Sequence, residues 1–291
     1  MKKLFDLEHT PLARIREKTE ESAKKVVLPL GTVVEQISVA DIPAEWVRAY
    51  NVPKETKNAI LYFHGGGLYS GSCATYRYLA TKLSEAAHVP VLVVEYRLAP
   101  EHKYPAANKD VLEAYLWLCS NGFSNENIIL GGDSAGGGLV LMTLQALRDT
   151  GATLPAAAFM MSPWADMINF DGESYINRAT MDPLCDLNNS RIAASFYIDS
   201  EAEPPEELSP ISRDLGGLPP LLVQVGENEV LYSDSQRLVE RATKAGVDVK
   251  FETWDNMWHV FQFYVDALPE ANQAIGSIGK FVRKHFSLRK S

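Results

Sequence analysis

Residues 127–138, NIILGGDSAGGG, decide the fold. A short apolar strand leads directly into a glycine-rich turn, and residues 137–149, GGLVLMTLQALRD, continue in a helix-compatible pattern. The turn holds a G-x-S-x-G pentapeptide at 132–136, in which small flanking residues allow a sharp, strained backbone that exposes Ser134 above the sheet edge. Ser134 is therefore a candidate nucleophile, although the pentapeptide alone would also fit a glycine-rich turn capped by a serine.

Short β-branched runs alternate with helix-period segments on both sides of this turn. The runs are mostly apolar on both faces, which is typical of strands covered by helices on both sides. The pattern predicts a mostly parallel α/β sheet. The predicted strands are 59–63, 90–96, 127–130, 156–161, 221–225 and 247–254.

Two regions interrupt this alternation. Residues 1 to about 50 are helix-compatible and partly amphipathic, and residues 165 to about 210 contain no convincing strand. The second region is too long for an ordinary connection between a helix and a strand. We expect it to form a small helical element that lies on the main domain.

Composition excludes several classes of protein. The 291 residues are 46% hydrophobic and 22% charged, as in ordinary globular proteins, and the net charge of −9 disfavours nucleic acid and anionic membrane surfaces as partners. We expect no signal peptide and no membrane span. The cysteines, Cys73, Cys119 and Cys185, are odd in number and far apart, so they predict neither a disulfide framework nor a zinc motif, and a cytoplasmic location is the simplest expectation.

A second glycine-rich segment, HGGG at 64–67, follows the predicted strand 59–63. Glycines let backbone N–H groups approach the negative oxygen of a tetrahedral acyl intermediate, and the amide of Ala135, after the nucleophile, would complete such an oxyanion hole. The alternative is a phosphate-binding loop. It fits poorly, because Ser70 stands where the G-x-G-x-x-G frame requires glycine.

A serine nucleophile needs a base, and in this order of motifs the base histidine follows both the serine and the acid. Of the six histidines, only His259 and His285 come late enough. His285 lies in the basic tail RKHFSLRKS, whereas His259 lies in the aromatic loop WDNMWHVF after a predicted strand. We therefore choose His259.

These motifs, with YRLAPE at 96–101 and PAA at 105–107, resemble the hormone-sensitive-lipase-like family of α/β-hydrolase esterases over about residues 59–261. The resemblance implies the α/β-hydrolase fold: an eight-stranded, mostly parallel central sheet with helices on both faces. It also implies one domain over residues 1–291, with a helical cap from about 1–50 and 165–210. In that family the second and third glycines of HGGG donate to the oxyanion, which places this role on Gly66 and Gly67.

The acid of the triad departs from the family pattern G-x-x-D-x-L. Residues 226–231 read GENEVL, so the acid position holds Glu229. A glutamate can accept the hydrogen bond of the histidine and stabilise its imidazolium form. Asp234 and Asp255 are the other candidates, and Glu229 could also be a solvated loop acid.

Other residues of the resembled motifs are interpreted as structural. Asp133, Arg97 and the segment 181–183 (MDP) would position loops. Apolar side chains of the predicted cap are interpreted as cap core rather than as an acyl pocket: Tyr175, Met181, Phe196 and Tyr197.

The function predicted from this set is serine carboxylesterase activity, lipase-like in kind, on short-chain acyl esters. It uses a Ser-His-Glu triad and an acyl-enzyme, and it needs no metal and no organic cofactor. The partner is a small-molecule ester, and a homo-oligomer is permitted by the resemblance although no stretch marks an interface. An amidase or formamidase with the same triad, and a catalytically silent small-molecule receptor on the same fold, are the alternatives.

Overall fold

A computed structural model of the chain describes residues 6–199 and 201–287. Within these residues one sheet contains eight strands. The strands are β1 (Val33–Val39), β2 (Ile42–Arg48), β3 (Ala59–Phe63), β4 (Val91–Val94), β5 (Ile128–Asp133), β6 (Ala157–Met161), β7 (Leu221–Gly226) and β8 (Val249–Trp254). Their order across the sheet is β1-β2-β4-β3-β5-β6-β7-β8. β1 and β2 pair antiparallel with their neighbours and the others pair in parallel, so the predicted mostly parallel sheet is confirmed.

Helices cover both faces of the sheet. In β3, Leu61 and Phe63 point into one apolar cluster and Ile60 and Tyr62 into the other, because side chains alternate along a strand. The helices are α1 (Leu12–Ala23), α2 (Cys73–Ala87), α3 (Ala106–Ser120), α4 (Ala135–Asp149), α5 (Ser174–Asn177), α6 (Leu187–Tyr197), α7 (Tyr232–Lys244) and α8 (Pro269–Ser287). Residues of α3, α4 and α7 pack into the first cluster, and residues of α2 and α8 pack into the second.

The six strands predicted from the sequence are all present, with bounds that shift by at most two residues at the start of a strand and by up to three at its end. The helical expectation for the first fifty residues is correct only for α1. Residues 33–48 form the hairpin β1–β2 instead, joined at Ala40 and Asp41. Both turn residues have positive φ, 48° and 67°, as a two-residue type I′ turn requires. Pairing of β2 with β4 fixes the hairpin at the edge of the sheet.

The insertion 165–210 contains α5 and α6, and among the residues described it contributes no strand to the sheet. Tyr175 and Tyr197 are buried in it, and Phe196 is half-buried. Met181 is 44% exposed, so its interpretation as core is wrong. The reason is local: Met181 lies in a turn after α5, where its side chain is left at the surface.

Helix α1 is fastened to the loops that follow β3 and β4. Arg16 donates from Nε to the carbonyl of Tyr69 at 2.6 Å and from Nη2 to the carbonyl of Ala99 at 2.6 Å. Its guanidinium also pairs with Glu101 at 2.7 Å. Tyr69 belongs to residues 64–71, which we call the glycine loop. One side chain therefore joins α1 to both loops.

Helix α6 lies against the same part of the molecule. The ring of Phe196 meets the ring of Tyr69 edge-on, with centroids 5.9 Å apart. The hydroxyl of Tyr197 donates to Asn108 Oδ1 at 2.6 Å, and the carbonyl of Tyr197 accepts from the amide of Tyr104 at 2.9 Å. The insertion is thus anchored beside the glycine loop.

Across 6–199 and 201–287, none of the helices is both long enough and apolar enough to traverse a bilayer.

Candidate active site

Ser134 lies at the turn between β5 and α4, with φ 50° and ψ −123°. The flanking glycines are required by close packing, because a Cβ on Gly136 would lie 2.0 Å from the carbonyl oxygen of Phe63. A Cβ on Gly132 would lie 2.5 Å from the carbonyl oxygen of Gly136. The amide of Ser134 donates to the carbonyl of Met161 at 2.9 Å, which ties the strained turn to the end of β6. Ser134 thus occupies the strand-to-helix turn predicted for it.

His259 is brought to Ser134 by the loop between β8 and α8. Its Nε2 atom lies 2.9 Å from Ser134 Oγ, and the residue is 5% exposed. The alternative base, His285, lies in α8, where its ring packs on Phe281 at 4.4 Å. Of the two late histidines, His259 is therefore the one beside the serine.

Glu229 stands on the other side of the imidazole. Its Oε2 lies 3.0 Å from His259 Nδ1, and its Oε1 accepts from the amide of Gly226 at 2.6 Å and from the hydroxyl of Ser162 at 2.7 Å. Glu229 is fully buried, so the interpretation as a solvated loop acid is wrong. The short loop after β7 turns the side chain back beneath the histidine, where burial favours hydrogen-bonded partners for a carboxylate.

The two other candidate acids lie elsewhere. Asp234 is buried in the first turn of α7 and pairs with Arg237 at 3.0 Å, and burial raises its pKa to about 7. Asp255 is exposed in the turn after β8. Neither contacts His259 in the hydrogen-bond network of the described residues, whereas Glu229 does.

Burial and neighbouring charges act in opposite directions on the pKa values of Glu229 and His259. Burial raises the pKa of Glu229, and the hydrogen bond and charge of His259 oppose that rise. Burial lowers the pKa of His259, but Cys185 and Glu229 raise it, and the net displacement is upward. Burial also raises the pKa of the Cys185 thiol, so it is uncharged near neutral pH. The negative charge that stabilises the imidazolium, the form that exists after His259 has taken up a proton, therefore comes from Glu229.

The glycine loop follows β3 and passes beside the start of α4. Gly66 and Gly67 have φ of 104° and 62°, a region that residues with a side chain rarely adopt. A Cβ on Gly66 would lie 2.2 Å from the carbonyl oxygen of Ser70. Within 6–199 and 201–287, the amides of Gly66, Gly67 and Ala135 donate to no carbonyl or side chain. Three N–H groups are thus available beside the elbow, one of them at the N-terminus of a helix.

Asp133 holds the glycine loop in place. Its Oδ1 accepts from the amide of Gly65 at 2.9 Å and from the hydroxyl of Tyr62 at 2.7 Å, and its Oδ2 accepts from the hydroxyl of Tyr76 at 2.9 Å. Burial raises the pKa of Asp133 to about 6, although the tyrosine hydroxyls lower it. Arg97, the other charged residue of the resembled motifs, pairs with Asp110 at 2.6 Å. Asp133 therefore connects the elbow directly to the glycine loop.

His64 is a buried structural residue of the same loop. Its ring stacks on Tyr96 with centroids 4.2 Å apart, and Nδ1 lies 2.8 Å from the carbonyl oxygen of Gly65. Burial lowers the pKa of His64 to about 4, so the ring is neutral near pH 7. The histidine therefore shapes the start of the loop without adding a charge.

Sequence reasoning missed two residues at the site. Ser162 directly follows β6, the strand between those that lead to Ser134 and Glu229, and this position could have revealed it because parallel strands end at one edge. Cys185 comes from the insertion, and no pattern places it there. A ligating atom of Cys185 lies within 4.8 Å of both His259 and Asp182.

Comparison with known protein families finds one whose model matches this chain. Residues 60–263 match the model of a family described as alpha/beta hydrolase fold. The chain belongs to this α/β hydrolase family. The matched stretch contains Ser134, Glu229 and His259 together with the whole glycine loop. The resemblance drawn from the motifs is therefore confirmed.

Relatives in this α/β hydrolase family are hydrolases. An acetyl-hydrolase of Streptomyces hygroscopicus is 41% identical over 268 residues, which cover 92% of this chain and 87% of the relative. An esterase of the bacterial hormone-sensitive lipase family superposes with a TM-score of 0.91 at 42% identity, covering 96% of this chain and 93% of the other. A third protein, EstE5 soaked with p-nitrophenyl butyrate, superposes with a TM-score of 0.91 at 40% identity, covering 98% of this chain and 94% of the other. The protein is a hydrolase.

Proposed function

We propose that this α/β hydrolase cleaves short-chain carboxylic esters through an acyl-enzyme on Ser134. The observation that carries the proposal is the continuous contact from Ser134 Oγ to His259 Nε2 at 2.9 Å and from His259 Nδ1 to Glu229 Oε2 at 3.0 Å. A nucleophile, a base and a group that orients the base, all within hydrogen-bond distance, are what acyl transfer requires.

In the acylation step, the ester carbonyl lies with its carbon at Ser134 Oγ and its oxygen facing the amides of Gly66, Gly67 and Ala135. His259 accepts the hydroxyl proton at Nε2 as Oγ attacks, and the oxygen becomes negative. Each preorganised N–H donor to that oxygen is worth about 10²–10³ in turnover. The alcohol leaves with the proton from His259, and Ser134 then carries the acyl group.

Deacylation repeats the same steps with water in place of the serine hydroxyl. His259 accepts a proton from the water, the hydroxide attacks the acyl carbonyl, and Ser134 leaves with the proton. In both halves Glu229 accepts the Nδ1–H of His259 and stabilises the imidazolium, as the aspartate does in Ser-His-Asp triads. The upward displacement of the His259 pKa agrees with this role.

The side chain of Glu229, one methylene longer than that of aspartate, is held in place through its second carboxylate oxygen. Oε1 is held by the amide of Gly226 and the hydroxyl of Ser162, which leaves Oε2 for His259. Glycine at position 226 is required chiefly by the loop that carries His259, because a Cβ there would lie 2.4 Å from the carbonyl oxygen of Met257. The contacts of both Glu229 oxygens support the Ser-His-Glu triad.

The preference for short acyl groups is supported by an aromatic wall beside the glycine loop. The ring of Tyr69 covers Gly67 so closely that a Cβ there would lie 2.4 Å from the ring, and Phe196 of α6 packs on Tyr69. We propose that α1 and residues 165–210 act as the cap and that this aromatic pair limits the space beyond the acyl carbonyl. The acetyl-hydrolase among the relatives is consistent with a small acyl group.

Hydrolysis of p-nitrophenyl acetate, butyrate, octanoate and laurate by the wild type and Ser134→Ala tests the proposal. We expect turnover on the short esters and a loss on the order of 10⁶ in Ser134→Ala, since a triad acts as a unit. Ser84→Ala, a buried serine that bonds Ala49 and Val89 away from this site, is the matched control and retains activity. An active Ser134→Ala enzyme would refute the mechanism, and faster cleavage of p-nitroacetanilide than of p-nitrophenyl acetate would assign the enzyme to amides.

A further inference from the structure

His259 also belongs to a second group of side chains, whose other members, Asp182 and Cys185, take no part in the proposed reaction. Each of these residues, Asp182, Cys185 and His259, offers one ligating atom, and the three atoms lie within 4.8 Å of one another. Asp182 and His259 are buried and Cys185 is half-buried. Among residues 6–199 and 201–287, these three form the group of histidine, cysteine and acid side chains that converge closely enough to share a cation.

We propose that Asp182, Cys185 and His259 form a binding site for a thiophilic divalent cation, Zn²⁺ or Cd²⁺, and that the bound cation switches off catalysis by occupying the imidazole. Thiolate, imidazole and carboxylate are the three ligand types that proteins use for Zn²⁺, and sites with three protein ligands leave the fourth position to water. Tetrahedral Zn²⁺ with bonds of roughly 2.0–2.3 Å places its ligand atoms about 3.3–3.8 Å apart. The three ligand atoms now lie within 4.8 Å of one another, so side-chain movements of roughly 1 Å would bring them to the spacing that Zn²⁺ requires.

The acid of this group is already held in position. Asp182 Oδ1 accepts from the amides of Leu184 and Cys185 at 2.9 and 3.1 Å, and Oδ2 accepts from the amide of Val230 at 3.1 Å. Asp182 therefore orients the backbone that carries Cys185 and also binds the residue next to Glu229. Hydrogen bonds of this kind orient metal ligands and strengthen their binding.

The cation and the catalytic proton compete for the same electron pair. A neutral imidazole has one nitrogen lone pair, and the proposed mechanism uses it to accept the Ser134 proton. A cation on that lone pair leaves His259 unable to act as a base. Binding also releases the thiol proton of Cys185 to solvent, so affinity rises with pH.

The other two cysteines provide the contrast. Cys73 is buried in α2, and its thiol donates to the carbonyl of Val93 at 3.3 Å. Cys119 is half-buried near the end of α3, where Tyr115 is its neighbour. Neither belongs to a converging group of metal-ligating side chains within the part of the chain described. Thiolate coordination at this protein is therefore assigned to Cys185 alone.

Metal binding is tested by titrating metal-free full-length protein with Cd²⁺ and following the ultraviolet absorption of the cadmium–thiolate bond. We expect this absorption in the wild type and in the matched control Cys119→Ser, and its loss in Cys185→Ser. Affinity should fall by at least about 100-fold in Cys185→Ser, since even indirect partners of a metal are worth 10–100-fold. Zn²⁺ in excess should compete for the same ligands and reduce the absorption. Absence of the band in the wild type, or its persistence in Cys185→Ser, would overturn the site.

The effect on turnover rests on the function proposed above, whereas metal binding does not. Hydrolysis of p-nitrophenyl butyrate is measured with Cd²⁺ added, and each protein is compared with its own metal-free rate. Wild type and Cys119→Ser should lose turnover as the absorption appears and regain it with a chelator, and Cys185→Ser should need at least about 100-fold more cation. Full turnover of cadmium-saturated wild type would refute the switch. If metal-free wild type hydrolyses no ester while the band depends on Cys185, the proposed function fails and the metal site stands.

Discussion

Asp133 and Glu229 are two buried carboxylates of one site, and their partners differ in kind. Asp133 accepts from an amide and two tyrosine hydroxyls, none of which becomes charged near neutral pH. Glu229 accepts from an amide and a serine hydroxyl with one oxygen and faces the imidazole of His259 with the other. Burial raises the pKa of both acids. The carboxylate group and its burial are therefore shared, and the hydrogen-bond partners differ.

That difference separates two roles for the same chemical group. A carboxylate among neutral donors fixes the backbone that donates to it, and here that backbone is the glycine loop. A carboxylate beside an imidazole stabilises a charge that appears only during the reaction. We therefore expect Asp133 to act on geometry and Glu229 to act on charge, and the following variants separate the two.

Among the three variants that separate these roles, Glu229→Gln gives the largest expected effect. Turnover should fall about 10⁴-fold, as when the triad aspartate is replaced by its amide, because the amide cannot stabilise the imidazolium. Since Glu229 raises the pKa of His259, the acid limb of kcat/KM should also move to lower pH. Rates on p-nitrophenyl acetate across pH measure both changes. Asp234→Asn, another buried acid, is the control, and a greater loss there than in Glu229→Gln would transfer the acid role to Asp234.

Asp133→Ala should have a smaller effect of a different kind. Without its carboxylate the amide of Gly65 loses its partner, and a displacement of the oxyanion donors by about 1 Å costs roughly 100-fold in kcat. KM and the acid limb should stay close to wild type, and thermal melting checks that the variant is folded. Asp133→Asn keeps an acceptor for Gly65 and should recover most of the loss. An acid limb that moves as in Glu229→Gln would show that Asp133 acts through charge.

Ser162→Ala should have the smallest effect of the three. It removes the hydrogen bond from Ser162 to a buried carboxylate, worth about 1.5–3 kcal/mol to a charged group, and part of this is retained because Gly226 still donates to the same oxygen. It also removes the acceptor of the Val260 amide, which lies 3.2 Å from Ser162 Oγ. We expect about a tenfold decrease in kcat, which corresponds to about 1.4 kcal/mol. Steady-state kinetics beside Ser84→Ala provide the comparison. Unchanged kcat in Ser162→Ala would assign the support of Glu229 to Gly226 alone.

The centre of the fold could be predicted from the sequence because its signals are local. Strands β3 to β8 are short runs rich in apolar residues, and the glycines around Ser134 are required by contacts within a few residues of the turn or with the adjacent strand. The motif order left His259 and His285, and the position of His259 in a loop after a predicted strand decided between them. The family pattern that begins at Gly226 selected Glu229. The contacts of His259 with Ser134 and with Glu229 remained predictions, because hydrogen bonds between distant segments depend on strand order.

The edge of the fold could not be predicted in the same way. The hairpin β1–β2 turns at Ala40–Asp41, which lacks the Asn-Gly or Asp-Gly signal of a type I′ turn. β1 is mostly exposed, and β2 mixes buried with partly exposed residues. Their mixed pattern therefore suited a helix equally well. Cys185 was missed for a related reason, since an insertion without a strong period gives no register from which to place one side chain beside His259.

Arg16 makes α1 comparable to a ligand that is attached to its own receptor. Its side chain holds carbonyl groups of two loops beside the site, and Lys24 and Lys25 lie exposed just beyond the helix. A tether keeps such a ligand at an effective concentration in the millimolar range. A single tryptic cut at these lysines would turn intramolecular docking into a bimolecular equilibrium, so activity of the nicked enzyme should decline on dilution and return when the peptide is added back. Dilution-independent activity of the nicked enzyme would show that α1 is dispensable for the glycine loop.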